Sequence, residues 1–310
     1  MHRWLLGTLF AVFCWGIWAL LGKLIGDRLS PAQTQALSTI GLGPVMLVLG
    51  ISQWHRLSFA ITRDSSGDLN SEGARKKPSR GALLALGAGT LTCLGNIAYY
   101  DVLNRGAKAA TVVPLTALYP VVTVLLALIL LKERLNRIQI AGIALSLTAI
   151  YLFNVQQDQG LLSAWLLVAL IPVTLWGIAG LLQKLATNDL SGESSTLWFL
   201  AAFVPVALCL LIQQSLPASI APRTWLLVSA LGFSFALGNY ALLAAFAHNG
   251  KASVITPLAG LYPLVSIPIA ILLLGERIGG RETIGITLAL LSAAALACET
   301  RPAPAENVKD

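Results

Sequence analysis

Trp15-Gly-Ile-Trp-Ala-Leu-Leu-Gly-Lys-Leu24 returns at an offset of 161 as Trp176-Gly-Ile-Ala-Gly-Leu-Leu-Gln-Lys-Leu185. Trp4 maps onto Trp165 at the same offset. A second block repeats at an offset of 143. Asn96 maps onto Asn239, Gly106 onto Asn249, Lys108 onto Lys251, Pro114 onto Pro257 and Tyr119-Pro120 onto Tyr262-Pro263. Glu133-Arg134 maps onto Glu276-Arg277, and Gly142 onto Gly285. Apolar segments resemble each other by chance, because Leu and Ala dominate them. Matched Trp, Lys, Asn, Tyr-Pro and Glu-Arg in the same order are the mark of an internal repeat. The offsets differ by 18 residues, the size of a polar insert around Arg63 to Arg80 in the first copy.

The composition says what solvent surrounds the repeat. Hydrophobic residues make up 56% of the chain, charged residues 11%, and the mean hydropathy is +0.76. A soluble domain carries about 25% charged residues, so this chain cannot cover a globular surface with polar groups. Lipid tolerates such a surface. A spanning helix needs about 20 apolar residues to cross roughly 30 Å of hydrocarbon. Ten segments qualify: 4–25, 33–54, 81–103, 109–131, 138–156, 161–186, 195–214, 223–247, 252–274 and 282–299. Turn and charge signals punctuate them, among them Gly26-Asp27-Arg28, Asn104-Arg105-Gly106, Gln156 to Gly160 and His248-Asn249-Gly250. The first run, Trp4 to Gly22, is too long for a cleaved signal peptide and reads as a span. The tail from residue 300 onward reads as disordered.

The expected fold is therefore an all-α integral membrane protein, with repeats over 1–156 and 157–299. Five spans per repeat is an odd number, so the halves insert in opposite orientations as two inverted five-helix repeats around a central cavity. With the N terminus inside, the inner side receives fourteen Lys and Arg residues and the outer side seven. The excess predicts cytoplasmic termini and a cytoplasmic 2–3 loop at about 55–80. The expected location is the inner or plasma membrane of a bacterium.

Several function classes are disfavoured by what the sequence holds. The net charge of +7 is not a basic stripe, because six of the basic residues are Arg56, Arg63, Arg75, Lys76, Lys77 and Arg80 in one loop. Nucleic-acid binding is not expected. Cys14, Cys93, Cys209 and Cys298 sit apart in apolar runs and read as small buried side chains. His2, His55 and His248 do not cluster, so no metal site and no cofactor is expected. No Walker-type loop argues for an ATP-driven pump, and no nucleophile or carboxylate pair in the spans argues for an enzyme. The partners expected are a small-molecule substrate and the lipid bilayer, for a monomer or homodimer.

Pro114-Leu-Thr-Ala-Leu-Tyr-Pro-Val-Val-Thr123 runs into Leu131-Lys-Glu-Arg-Leu135, and Pro257-Leu-Ala-Gly-Leu-Tyr-Pro-Leu-Val-Ser266 into Leu274-Gly-Glu-Arg-Ile278. With the Trp-Gly pairs of spans 1 and 6, these segments resemble two EamA domains of the drug/metabolite transporter superfamily. The resemblance implies spans 1–4 and 6–9 around a cavity, spans 5 and 10 at the periphery, and transport of small organic solutes such as metabolites, amino acids or drugs.

The residues of interest each carry two readings. Trp15, Trp18 and Trp176 lie mid-span, where an indole N–H needs a partner or a wet cavity; they line a cavity or pack helices. Asn96 and Asn239 are amides whose unpaired burial costs roughly 2–7 kcal/mol. They face the cavity or bond between helices, beside Tyr99, Tyr100 and Tyr240. Pro114, Pro120, Pro257 and Pro263 kink spans 4 and 9, as gates or as static bends. Thr116, Tyr119 and Thr123 share one helical face, and Tyr262 and Ser266 mirror two of them. Lys23 and Lys184 snorkel to headgroups or contact an anion, and Asp101 is placed to pair with Lys23. Glu133 and Glu276 read as structural loop charges.

The leading expectation is a secondary transporter working by alternating access. Its substrate-binding residues are Trp15, Trp18, Asn96, Tyr100, Thr116, Tyr119, Trp176, Asn239, Tyr240 and Tyr262, with Pro114, Pro120, Pro257 and Pro263 as gating or kink positions. The absence of Asp or Glu deep in a span weakens proton antiport and leaves facilitated diffusion or exchange open. An organic-anion or phosphate antiporter using Lys23 and Lys184 is the alternative within transport, and a membrane channel the alternative outside it.

Overall fold

A backbone in lipid has no water to bond with, so each apolar run closes its own hydrogen bonds as helix. The computed structural model describes residues 3–64, 77–130, 135–153, 164–248 and 251–298, without the side chains of residues 55–64. Among these residues there are thirteen α-helices and no strand. They are α1 (Arg3–Ile25), α2 (Pro31–Asp64), α3 (Pro78–Asn104), α4 (Ala109–Thr116), α5 (Pro120–Leu130), α6 (Arg137–Phe153) and α7 (Ala164–Asp189). Then follow α8 (Gly192–Ala201), α9 (Phe203–Gln213), α10 (Pro222–Ala247), α11 (Ala252–Ala259), α12 (Pro263–Leu274) and α13 (Gly280–Leu296). Most of the 2–3 insert, Glu133, Arg134 and the tail lie outside the described residues.

Among the described residues, eight stretches are long and apolar enough to cross a membrane. Three of them are broken helices: α4 with α5, α8 with α9, and α11 with α12. The other two expected spans are the 17-residue helices α6 and α13. At 1.5 Å per residue each reaches about 25 Å, short of roughly 30 Å of hydrocarbon. The outward surface is apolar, with Ile212 86% and Leu272 81% exposed. In water such side chains would drive aggregation, whereas lipid accepts them. The chain is an integral membrane protein.

Proline sets the breaks. Pro120 and Pro263 were expected to kink a continuous helix, but they do not bend one. Each opens a new helix after a turn at 117–119 or 260–262. Proline fits the first helical position because its missing N–H has no bond to lose there. Pro114 and Pro257 lie inside the short helices α4 and α11. Pro205 does similar work between α8 and α9, since its ring clashes with the carbonyl four residues earlier, at Ala201.

The packing occurs twice, with the halves exchanged. Helix α1 packs on α10 and α7 on α3; α2 packs on α10 and α8 on α3; α12 packs on α1 and α5 on α7. Glycines make the close approaches. A Cβ at Gly16 would meet Val265 and the Tyr262 carbonyl, and one at Gly177 would meet Val122 and the Tyr119 carbonyl. Gly41 faces Gly232 across α2 and α10, where a Cβ on either would strike a carbonyl of the other helix, of Ser229 or Ser38. At the matching crossing, Gly89 lies against the Phe199 carbonyl. Without a hydrophobic drive between helices in lipid, such close backbone approach holds the bundle together.

The two halves are also fastened at α4. Gly275, with φ 64°, ends α12 in the left-handed region. Glu276 follows it and accepts from the amides of Ala109 and Ala110, both at 2.8 Å, so a carboxylate caps the N terminus of α4. Lys108 pairs with Glu282 at 3.0 Å, and Thr111 donates to the same carboxylate at 3.0 Å. Glu276 is thus a structural charge, in line with the sequence reading.

Candidate functional site

Helices α1, α3, α7 and α10 converge with the turns after α4 and α11 on one cavity of about 50 Å³. One buried water needs roughly 10–15 Å³, so the cavity holds a few waters. An organic solute requires its walls to part. Trp15, Trp18, Thr92, Asn96 and Tyr119 line it from the first repeat, and Trp176, Ala179, Gln183, Phe235, Asn239 and Tyr262 from the second.

The aromatic walls obey the repeat. Trp15 meets Tyr262 edge-on at 6.4 Å and 89°, and Trp176 meets Tyr119 at 6.2 Å and 85°. Each indole lies against a glycine: Trp176 against Gly95, and Trp15 against Gly238. A Cβ on either glycine would stand 2.5 Å from the ring. Trp18 bridges the halves, 5.6 Å from Trp176 and 5.7 Å from Phe235.

Polarity in the cavity is neutral: no Asp, Glu, Lys, Arg or His lines it. Four buried polar atoms of its lining have no hydrogen-bond partner, namely Trp15 Nε1, Trp176 Nε1, Asn96 Oδ1 and Tyr119 Oη. Buried polar groups are otherwise almost always paired, so each orphan calls for an explanation.

Seven of the ten binding candidates read from the sequence meet at the cavity: Trp15, Trp18, Asn96, Tyr119, Trp176, Asn239 and Tyr262. Tyr100 and Thr116 stand one layer behind. The Tyr100 hydroxyl accepts from Trp18 Nε1 at 3.1 Å. The Thr116 hydroxyl reaches the Val112 carbonyl at 2.9 Å and the Tyr262 hydroxyl at 3.3 Å. Tyr240 is half-buried and is not a lining residue, because one helical step of about 100° turns it from the direction of Asn239. The sequence reading missed Thr92, Ala179, Gln183 and Phe235. Thr92 and Phe235 lie one turn before Asn96 and Asn239 on the same faces. Gln183 was visible as a polar residue inside an apolar span.

The charged candidates sit elsewhere. Lys23 Nζ donates to the Ala107 carbonyl at 2.7 Å and the Leu103 carbonyl at 3.5 Å, and Lys184 Nζ to the Phe246 carbonyl at 3.4 Å. Leu103 and Phe246 are matched by the repeat, so both ammonium groups serve the carbonyl ends of α3 and α10. The expected Lys23–Asp101 pair is not formed. Asp101 instead binds Arg105 at 2.7 Å, one turn on along its own helix. Cys14 and Cys93 are buried, but Cys209 and Cys298 are exposed: Cys209 on the outer side of α9, where an apolar side chain facing lipid gains little from burial, and Cys298 just past the end of α13. Among the described residues, no three His, Cys, Asp or Glu side chains gather as metal ligands.

The sequence profile of the EamA-like transporter family matches residues 2–155 and again 163–298. The chain belongs to the EamA-like transporter family. The two matched segments coincide with the two copies of the repeat, and Trp15, Asn96, Trp176 and Asn239 lie within them. Twenty-one chains of known structure are also similar. One, a crystal structure titled only as that of a protein, is 20% identical over 94% of both chains, with a TM-score of 0.65. At that identity the likeness concerns the fold alone. A search of curated proteins returned no match.

Proposed function

We propose that the chain is a secondary carrier of small organic solutes, with ten spans as two inverted five-helix repeats, moving its cargo by alternating access. The single observation that carries this reading is the cavity shared by both halves, with unpaired indole N–H groups at the matched positions Trp15 and Trp176. Matched walls that exchange roles are what an inverted repeat needs to open first to one side and then to the other.

The solute lies against Trp15, Trp18, Asn96, Tyr119 and Trp176, with Asn239 and Tyr262 completing the wall. Turns at 117–119 and 260–262 act as hinges beside it. An uncharged aromatic lining favours an amphipathic, net-neutral solute such as an amino acid or a related metabolite, held by stacking, N–H donors and cation–π contact. The carbonyl contacts of Lys23 and Lys184 speak against the anion-antiport reading. The carrier works as a monomer or homodimer in the inner or plasma membrane of a bacterium, with cytoplasmic termini, in export or exchange.

The test is counterflow in proteoliposomes with purified protein. The panel holds the twenty L-amino acids, uridine, choline and citrate, each as labelled solute outside and unlabelled inside. At least one neutral or zwitterionic solute is expected to exchange saturably, and Trp15→Ala, Asn96→Ala and Tyr119→Ala to cut its rate ten-fold or more. Normal exchange in all three correctly inserted variants would show that the site is wrong.

A further inference from the structure

The repeat matches asparagine with asparagine and tyrosine with tyrosine, yet the matched polar atoms end in different states. Asn239 is bonded at both ends of its amide. Its Oδ1 accepts from Gln183 Nε2 at 3.1 Å, and its Nδ2 donates to the Phe235 carbonyl at 2.9 Å. Asn96 is equally buried, at 2% exposure, but its Oδ1 has no partner. The tyrosines divide the same way. The Tyr262 hydroxyl lies 3.3 Å from Thr116 Oγ1 and donates to the Val113 carbonyl at 3.4 Å, while the Tyr119 hydroxyl is unpaired.

Two substitutions between the copies account for this. Gln183 stands where the first copy has Gly22, and a side chain started at Gly22 would meet the Tyr100 ring at 3.2 Å. Thr116 stands where the second copy has Ala259, so Tyr119 has no threonine to answer it. An unpaired buried amide or phenol destabilises a protein. Such groups persist where function uses them.

We infer that the matched Asn and Tyr positions have diverged into a binding pair and a locked pair: Asn96 and Tyr119 make polar contacts to the solute, whereas Asn239 and Tyr262 are positioning residues. The inference rests on the carrier reading and deepens it. An amide oxygen only accepts, so the solute must present an N–H or O–H donor to Asn96.

The experiment compares Asn96→Ala with Asn239→Ala, and Tyr119→Phe with Tyr262→Phe, in the full-length protein. Without solute, Asn239→Ala and Tyr262→Phe are expected to lower the melting temperature in detergent by several degrees more than their partners, because only they break hydrogen bonds. Kinetics use the panel solute with the highest counterflow rate. Asn96→Ala and Tyr119→Phe are expected to raise KM about ten-fold or more. Asn239→Ala and Tyr262→Phe are expected to act mainly on maximal rate, with a KM change several-fold smaller. Equal melting shifts within each pair, or equal KM changes, would overturn the divergence. A melting contrast with no panel solute carried would uphold the locks but overturn the binding role, along with the carrier reading.

Discussion

Gly232→Ala is expected to leave little folded protein. The added methyl would sit on the Ser38 carbonyl, at the crossing where Gly41 of α2 faces α10. Neither side of that contact is a flexible chain end. To relieve it, α2 and α10 must move apart along their length, and the loss of contact spreads to α1, which packs on α10. Overpacking a tight interior costs about 1–3 kcal/mol, and occasionally more. Here the clash is with backbone, which places it at or above the top of that range. Gly43→Ala is the control: it lies two residues from Gly41 on the same helix, with nothing within 4 Å of its added Cβ. That change should be neutral or slightly stabilising, since alanine favours helix over glycine by roughly 1 kcal/mol. Size-exclusion recovery and melting temperature of the two variants separate the outcomes. A monodisperse Gly232→Ala protein with the melting temperature of the parent would show that the two backbones do not touch at this crossing.

Gly238→Ala is expected to spare the fold and stop transport. Its methyl would stand 2.5 Å from Trp15 Cδ1 and 2.6 Å from Nε1. Unlike a carbonyl, an indole can swing away, and the open direction is the cavity. With only about 50 Å³ there, a displaced ring fills the space a solute needs. Gly95→Ala does the same to Trp176 from the other half, with its methyl 2.5 Å from Nε1. Both variants should insert normally, lose a few degrees of melting temperature and exchange solute at least ten-fold more slowly. Gly87→Ala on α3 is the matched control, because its nearest neighbour is the Leu182 Cδ1 atom at 3.7 Å. Parent-like exchange by Gly238→Ala and Gly95→Ala would mean that solute does not pass beside these tryptophans.

Much of this was readable from the chain itself, for physical reasons. Hydropathy locates helices in lipid because the solvent forces helix wherever the chain is apolar, and the repeat then pairs the mid-span polar residues. Trp15 with Trp176 and Asn96 with Asn239 came from that pairing and meet at the cavity. Side-chain direction was harder to read. A soluble helix separates an apolar inner face from a polar outer one, but α10 is apolar on both. The cost of an amide in lipid turns Asn239 inward, but nothing in the sequence says that Tyr240 beside it stays out of the cavity. Hydropathy also averages across a break, so α11 and α12 read as one span although the turn at 260–262 divides them. Asp101 was matched to Lys23 from their shared end of the spans, but Arg105 stands one turn away on its own helix. Helical spacing favours the nearer, while Lys23 turns to free carbonyls at a helix end.

Alternating access makes one demand that neither a pore nor an inert bundle meets: the same cavity atom must be reachable from each side in turn. Ala179 is 2% exposed and lines the cavity. Ala179→Cys in a chain whose four native cysteines are replaced provides the reporter. A membrane-impermeant thiol reagent is applied from one face at a time, to right-side-out and to inverted vesicles. The expected result is labelling of residue 179 from both faces, slowed by a saturating carried solute, in vesicles that hold an ion gradient. Labelling from one face only under every condition, or from both faces of vesicles that leak ions, would contradict the carrier.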